Sequence, residues 1–123
     1  MKSIFDESDI ISTYSRAQAI SDGVLVDISA NYKNEARLFK FPVAFTQSVF
    51  GLVEAVAKDN FDHQSVIIWD ILYMSIHLKT KILSESEHLF SVLIGTQTHI
   101  LKAICSGGDQ GEPVLTFLTE FED

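Results

Sequence analysis

The sequence predicts an α+β fold: a single domain in which a central apolar helix packs on an antiparallel sheet with a C-terminal three-stranded meander. Three observations carry that expectation. The run from Ser65 to Leu78 holds the only tryptophan, Trp69, and the densest apolar stretch in the chain. After Ser84-Glu85-Ser86-Glu87 the apolar period changes from helical to strand-like. The three strand-like segments that follow are joined by short connections, the pattern of strands that pair with their sequence neighbours.

Taken in order, residues 1–11 read as an arm charged by Asp6, Glu7 and Asp9. Ser15-Arg16-Ala17-Gln18 matches a capping box, with Ser15 reaching the third-position amide. The short helix it opens should stop at Asp22-Gly23, where glycine accepts the left-handed cap conformation. Val24 to Ile28 reads as a strand, and Asn31 to Leu38 as a short exposed helix. Phe41 to Phe45 is extended, since Pro42 steers its predecessor out of the helical region. Thr46 is placed to cap a second helix that turns Val49, Phe50, Leu52, Val53 and Val56 inward. The central helix is expected from about Gln64 to Ile82, apolar nearly all round and so packed on more than one side. Asp70, Tyr73, His77 and Lys81 follow helical spacing and mark its least buried stripe. Trp69 is expected in the core. His88–Ile94, Thr98–Cys105 and Pro113–Thr119 are the meander.

Composition narrows the function. At 123 residues and 46% hydrophobic, the chain suits one domain, 1–123, with a substantial core, and does not read as disordered. Nine Lys plus Arg against 17 Asp plus Glu give a net charge of −8. That sign disfavours direct contact with nucleic acid or an anionic membrane and favours a basic partner surface. A membrane span would need about 20 mostly apolar residues, which Asp70, Ser75 and His77 interrupt. The single Cys105 excludes an intramolecular disulfide, compatible with a reducing cytoplasm, and the N-terminus has no secretory apolar region.

No catalytic signature emerges. The loop Ser106–Glu112 lacks the lysine of a phosphate-binding loop, leads into no helix, and carries Asp109 and Glu112, which repel phosphate. A structural turn explains its glycines better. His63, His77, His88 and His99 are too widely spaced for a local metal motif. Asp70 and His77, two helical turns apart, stand about 10 Å from each other, too far for a direct acid–base pair. No cofactor, metal or catalytic residue is therefore expected.

The opening Tyr14-Ser15-Arg16-Ala17-Gln18-Ala19-Ile20, then Asp22-Gly23-Val24-Leu25-Val26-Asp27, is distinctive. So is the closing pattern of Leu101-Lys102-Ala103, Gly108-Asp109, Gly111-Glu112-Pro113-Val114 and Glu122-Asp123. With Pro42-Val43-Ala44, Thr46 and Trp69-Asp70-Ile71-Leu72, these resemble a family of small uncharacterised proteins encoded on plasmids, integrative conjugative elements and phages. The resemblance implies a setting, an accessory gene of mobile DNA where inhibitors of host defence are frequent, and no particular activity.

The expected function is that of a non-enzymatic acidic accessory protein that binds and inhibits a host protein with a basic surface, such as a CRISPR-type or other nucleic-acid-handling defence complex. Asp109, Glu112, Glu120, Glu122 and Asp123 are the carboxylates that would occupy a groove meant for phosphate. Tyr14, Arg16 and Asp22 form a second candidate surface, or the site of a small enzyme in the alternative reading. In that first region Arg16 would anchor Asp22 or Asp27. A third reading is a structural or regulatory homodimer of conjugative or phage machinery.

Overall fold

The computed structural model describes residues 15–122. The expected arm over residues 1–11, Tyr14 and Asp123 lie outside the described residues. Ser15 opens α1 (Arg16–Ser21) as its side chain accepts from the Gln18 amide at 3.0 Å. Gly23, at φ +81°, turns the chain out of it. Strand β1 (Leu25–Asp27) ends where Asp27 caps a helical turn, α2 (Ile28–Asn31), and a second turn, α3 (Lys33–Ala36), follows. The expected helix over 31–38 is thus two turns broken at Tyr32, whose backbone leaves the helical region. Strand β2 (Val43–Thr46) runs into α4 (Gln47–Ala57), with the Thr46 hydroxyl accepting from the Val49 amide.

The central helix, α5, spans Phe61–His77, with Asn60 as its cap. Its C-terminal end differs from the expected one. Leu78 leaves helical geometry, and Lys79–Ile82 forms an edge strand, β3, pairing with β4 (Glu87–Ile94). Pairing with β4 supplies those backbone groups with partners that a continued helix would have supplied internally. Strands β5 (Gln97–Gly107) and β6 (Pro113–Thr119) complete the antiparallel meander. Among the described residues the sheet has six strands in the order β1-β2-β6-β5-β4-β3, and of these only β2 and β6 run parallel.

One face of this sheet packs against α4 and α5. Phe45, Phe90 and Phe117 are fully buried there, and Phe117 stands at their centre, 5.4 Å from the Phe45 ring and 5.8 Å from that of Phe90. From α5 the core takes Ile67, Ile68, Ile71 and Leu72, the i, i+3, i+4 set of one helix face. Among the described residues no second layer covers the opposite arc. Trp69 is 41% exposed and Val66 60%, so the expectation of a buried tryptophan and a helix packed on several sides is corrected. Of the expected exposed stripe, Tyr73 and His77 face solvent, while Asp70 is half-buried.

The β4–β5 connection is a two-residue turn, Gly95-Thr96, closed by the Ile94–Gln97 pair. Gly95 sits at φ +65°, whereas Thr96 keeps a negative φ, which makes the turn type II′. A Cβ at Gly95 would stand 2.9 Å from a Val56 methyl. Gly95→Ala should therefore destabilise the fold by at least about 1–2 kcal/mol, the cost of a left-handed alanine alone. Urea unfolding checks this; an unchanged midpoint would mean the turn changes type freely.

Candidate functional site

Two regions gather the residues with chemistry to offer, one on each side of the sheet. The first is the junction of α1 with the glycine loop. The amides of Arg16 and Ala17, left without helical partners at the helix start, donate to the two carboxylate oxygens of Asp109 at 2.7 and 3.0 Å. Those bonds, the Arg16 amide first, hold the Asp109 carboxyl below its ordinary range. Glu112 closes the loop beneath: its carboxylate accepts from the Gln110 amide at 2.8 Å, and Gly111 adopts φ +80°.

The Arg16 guanidinium reaches the sheet, donating to Thr116 Oγ1 at 2.8 Å and to the Leu115 carbonyl at 2.9 Å. Burial pulls its pKa down, opposed by the charges of Asp27, Asp109 and Glu112. The fold thus joins Arg16, Asp109 and Glu112 into a fastening that ties the N-terminal helix to a loop about 90 residues away in sequence. Asp22 caps the far end of the same helix, roughly 9 Å along its axis from Arg16. Of the two carboxylates expected to anchor Arg16, the charge of Asp27 acts on it.

Glu122 lies across the same face of the sheet. Its Oε1 accepts from the Thr46 hydroxyl at 2.8 Å, the Thr119 amide at 3.0 Å and the Thr119 hydroxyl at 3.1 Å. Burial alone would raise this carboxyl, yet the bonds from Thr119, Thr46 and Ser48 prevail and hold it below the usual glutamate range. A depressed folded pKa stabilises the fold above the ordinary value, and that stabilisation is lost as pH falls through the folded value. Glu122→Gln should therefore lower stability at neutral pH and flatten its decline under acid. Thermal melts from pH 7 down to pH 3 test this, and parallel curves for the two proteins would exclude the role. Glu120 is half-buried at the end of β6.

Between these two anchors runs a groove of about 450 Å³, floored by Leu25, Ile104 and Leu118 and flanked by Ala19 and Glu122.

The second region is the outer arc of α5, where Tyr73 and His77 were expected to be exposed but Trp69 was expected in the core. Trp69, Tyr73 and His77 recur every four residues and stack along the helix surface. Their ring centroids stand 4.7 Å apart for Trp69–Tyr73 and 4.3 Å for Tyr73–His77. Val66 and Ile76, both exposed, flank the stack. Asp70 borders it, half-buried, with its carboxyl pushed up by burial. Beside Asp70 and Met74 lies a depression of about 220 Å³ that reaches Val92 and Leu93 on β4. Because β3 pairs with β4 only as far as Phe90, no strand among the described residues lies beside this edge of β4 from Ser91 to Ile94. The signal for this surface was present as the four-residue aromatic spacing, but spacing alone does not reveal which arc is covered.

Among the described residues, no three His, Cys, Asp or Glu side chains come together to hold a metal. His88 donates from Nε2 to the Ser75 carbonyl at 2.8 Å, and burial lowers its pKa. No helix among the described residues is long and apolar enough to cross a membrane.

No curated protein and no solved structure matches the chain. It belongs to the family described as a family of unknown function (DUF6573), whose model matches residues 1–123.

Proposed function

We propose that this protein works by binding another protein, through the outer arc of α5 and the neighbouring open edge of β4, rather than by catalysis. The observation that carries this reading is the Trp69–Tyr73 stack facing solvent between Val66 and Ile76. Trp and Tyr are the residue types that dominate binding energy at interfaces. Apolar surface left in water forgoes about 25 cal/mol per Å² that burial on a partner would recover. An unpaired strand edge next to it offers main-chain hydrogen bonds of the kind used in strand addition.

The resemblance to proteins of plasmids, integrative conjugative elements and phages supports a host partner in the cytoplasm. Within that setting we favour inhibition of a nucleic-acid-handling defence complex, of which a CRISPR effector is one kind. The net charge of −8 suits a partner whose own surface is basic. The carboxylates proposed to meet it are differently disposed: Asp109, Glu112 and Glu122 are engaged in internal hydrogen bonds. In this reading α5 supplies the main binding energy and charge speeds encounter.

The test begins with affinity capture from host cells, identification of the bound protein, and its purification. Binding is then measured for the wild type, for Trp69→Ala with Tyr73→Ala, and for Glu120→Gln with Glu122→Gln and Asp123→Asn. Loss of a hot-spot aromatic costs at least about 2 kcal/mol, or roughly 30-fold in affinity. The aromatic pair should lose at least that much with its melting temperature nearly unchanged, and the charge variant should mainly slow association at low salt. Wild-type affinity in the aromatic variant would overturn the assignment to α5. Capture of nothing but a second copy of the chain would favour the homodimer instead.

A further inference from the structure

We infer that the pocket beside α3 is a receptor for a short carboxylate-bearing peptide segment of a partner protein. No residue of the pocket belongs to α5, so this inference is independent of the role given to that helix. The pocket, of about 350 Å³, is lined by Lys33, Arg37 and Lys40, and these are the only charged residues that line it. Lys33 and Arg37 come together because they stand four residues apart across the single turn of α3, which places both on one side of it. Lys40 follows in the connection to β2. Like charges at helical spacing repel, and among the described residues none of the three side chains has a hydrogen bond or ion pair to offset that repulsion. The segment 29–42 carries three cations and one acid, a net of +2, in a chain whose other residues carry −10.

The walls favour a peptide over a small inorganic anion. Phe41, 40% exposed, lines the pocket together with Phe39, whose ring stands 6.1 Å from that of Phe117 in the core. These rings offer apolar contact to a side chain next to a carboxylate, contact that inorganic phosphate cannot use. Ser29 Oγ accepts from the Val43 amide at 2.7 Å, which leaves its hydroxyl hydrogen to donate to an incoming oxygen. Charge also limits the length of the ligand. Screening confines each ligand charge to partners within about 8 Å at physiological ionic strength. A short acidic segment therefore meets the three cations, whereas a long nucleic-acid strand would run on over a protein of its own sign.

The experiment is an amide-resolved NMR titration of the full chain, at constant ionic strength, with an acetyl-Glu-Phe-Glu amide peptide. Its glutamine counterpart, inorganic phosphate and a short thymidine oligonucleotide are titrated in parallel. The acidic peptide should shift the amides of Lys33, Arg37, Lys40 and Phe41 in a saturable way. The glutamine peptide, isosteric but neutral, should bind at least about tenfold more weakly. Lys33→Gln with Arg37→Gln should weaken the acidic peptide by a similar factor with the melting temperature nearly unchanged, since both side chains are exposed. Still pocket amides at millimolar peptide, equal binding of the two peptides, or wild-type affinity in the double variant would overturn the inference. Equal or tighter binding of phosphate or of the oligonucleotide would overturn the assignment to a carboxylate-bearing peptide. The ligand comparison needs no variant and decides the question even if the double variant fails to fold.

Discussion

Phe117→Ala should lower the unfolding free energy by about 3–5 kcal/mol, the usual cost of removing a buried phenylalanine. Its ring is fully buried and meets those of Phe39, Phe45 and Phe90, with centroids 5.4–6.1 Å away. Truncation leaves a void bounded by Phe45 of β2, Phe90 of β4 and Phe39 ahead of β2, and the strand residues cannot collapse into it without breaking sheet register. Against a typical domain stability of about 5–15 kcal/mol, the loss should move the urea midpoint far enough to be unmistakable. Trp69→Ala is the informative control. With 41% of its surface in water, its loss should cost no more than about 1 kcal/mol. Equal midpoint shifts for the two variants would place Trp69 in the core and remove the exposed face on which the binding proposal stands.

Gln64→Leu is the second large effect expected, and it works through polarity rather than volume. Gln64 is buried at the start of α5, where its Oε1 accepts from the Tyr32 hydroxyl at 2.8 Å and its Nε2 donates to the Lys58 carbonyl. Leucine fills much the same space but leaves both groups without their partner, at about 1–3 kcal/mol for each one that stays buried. Tyr32 also stacks on Phe61, with centroids 5.1 Å apart, so one side chain fastens the turn between α2 and α3 to the central helix. Tyr32→Phe should recover part of the Gln64→Leu loss, because it deletes the stranded hydroxyl. A double variant no more stable than Gln64→Leu alone would show that the hydroxyl finds water in its place. The Lys58 carbonyl belongs to a residue held at φ 54°, an unfavourable position for a side chain, and the Gln64 bond helps to hold it there.

These two residues separate what is local in this protein from what is not. The caps at Ser15 and Thr46, the stop at Gly23 and the boundaries of Pro113–Thr119 were legible because each depends on a few adjacent residues. A hydroxyl reaches an amide three positions on, a glycine tolerates positive φ, and strand alternation brings every second side chain to one face. The α+β class followed from those same short-range signals. Of the candidate site, the residue types were legible and their partners were not. Arg16 and Asp109 were both singled out, but their joining depends on the glycine loop folding back onto α1 across the sheet.

What the sequence determined by itself, then, is the set of elements and the apolar character of α5. The tertiary structure alone decided where that character is used. A helix resting on one sheet can bury only one arc, and α5 carries apolar residues on nearly all of its circumference, so periodicity could not say whether Trp69 or Ile68 faces the core. The same holds at its end. Lys79–Ile82 was expected as the last turn of the helix, yet becomes a strand because β4 lies alongside to pair with it. The parallel pairing of Val43 with Leu115 likewise depends on closing the chain between them. Loop closure and competition for one sheet face are properties of the whole chain, and no window of neighbouring residues contains them.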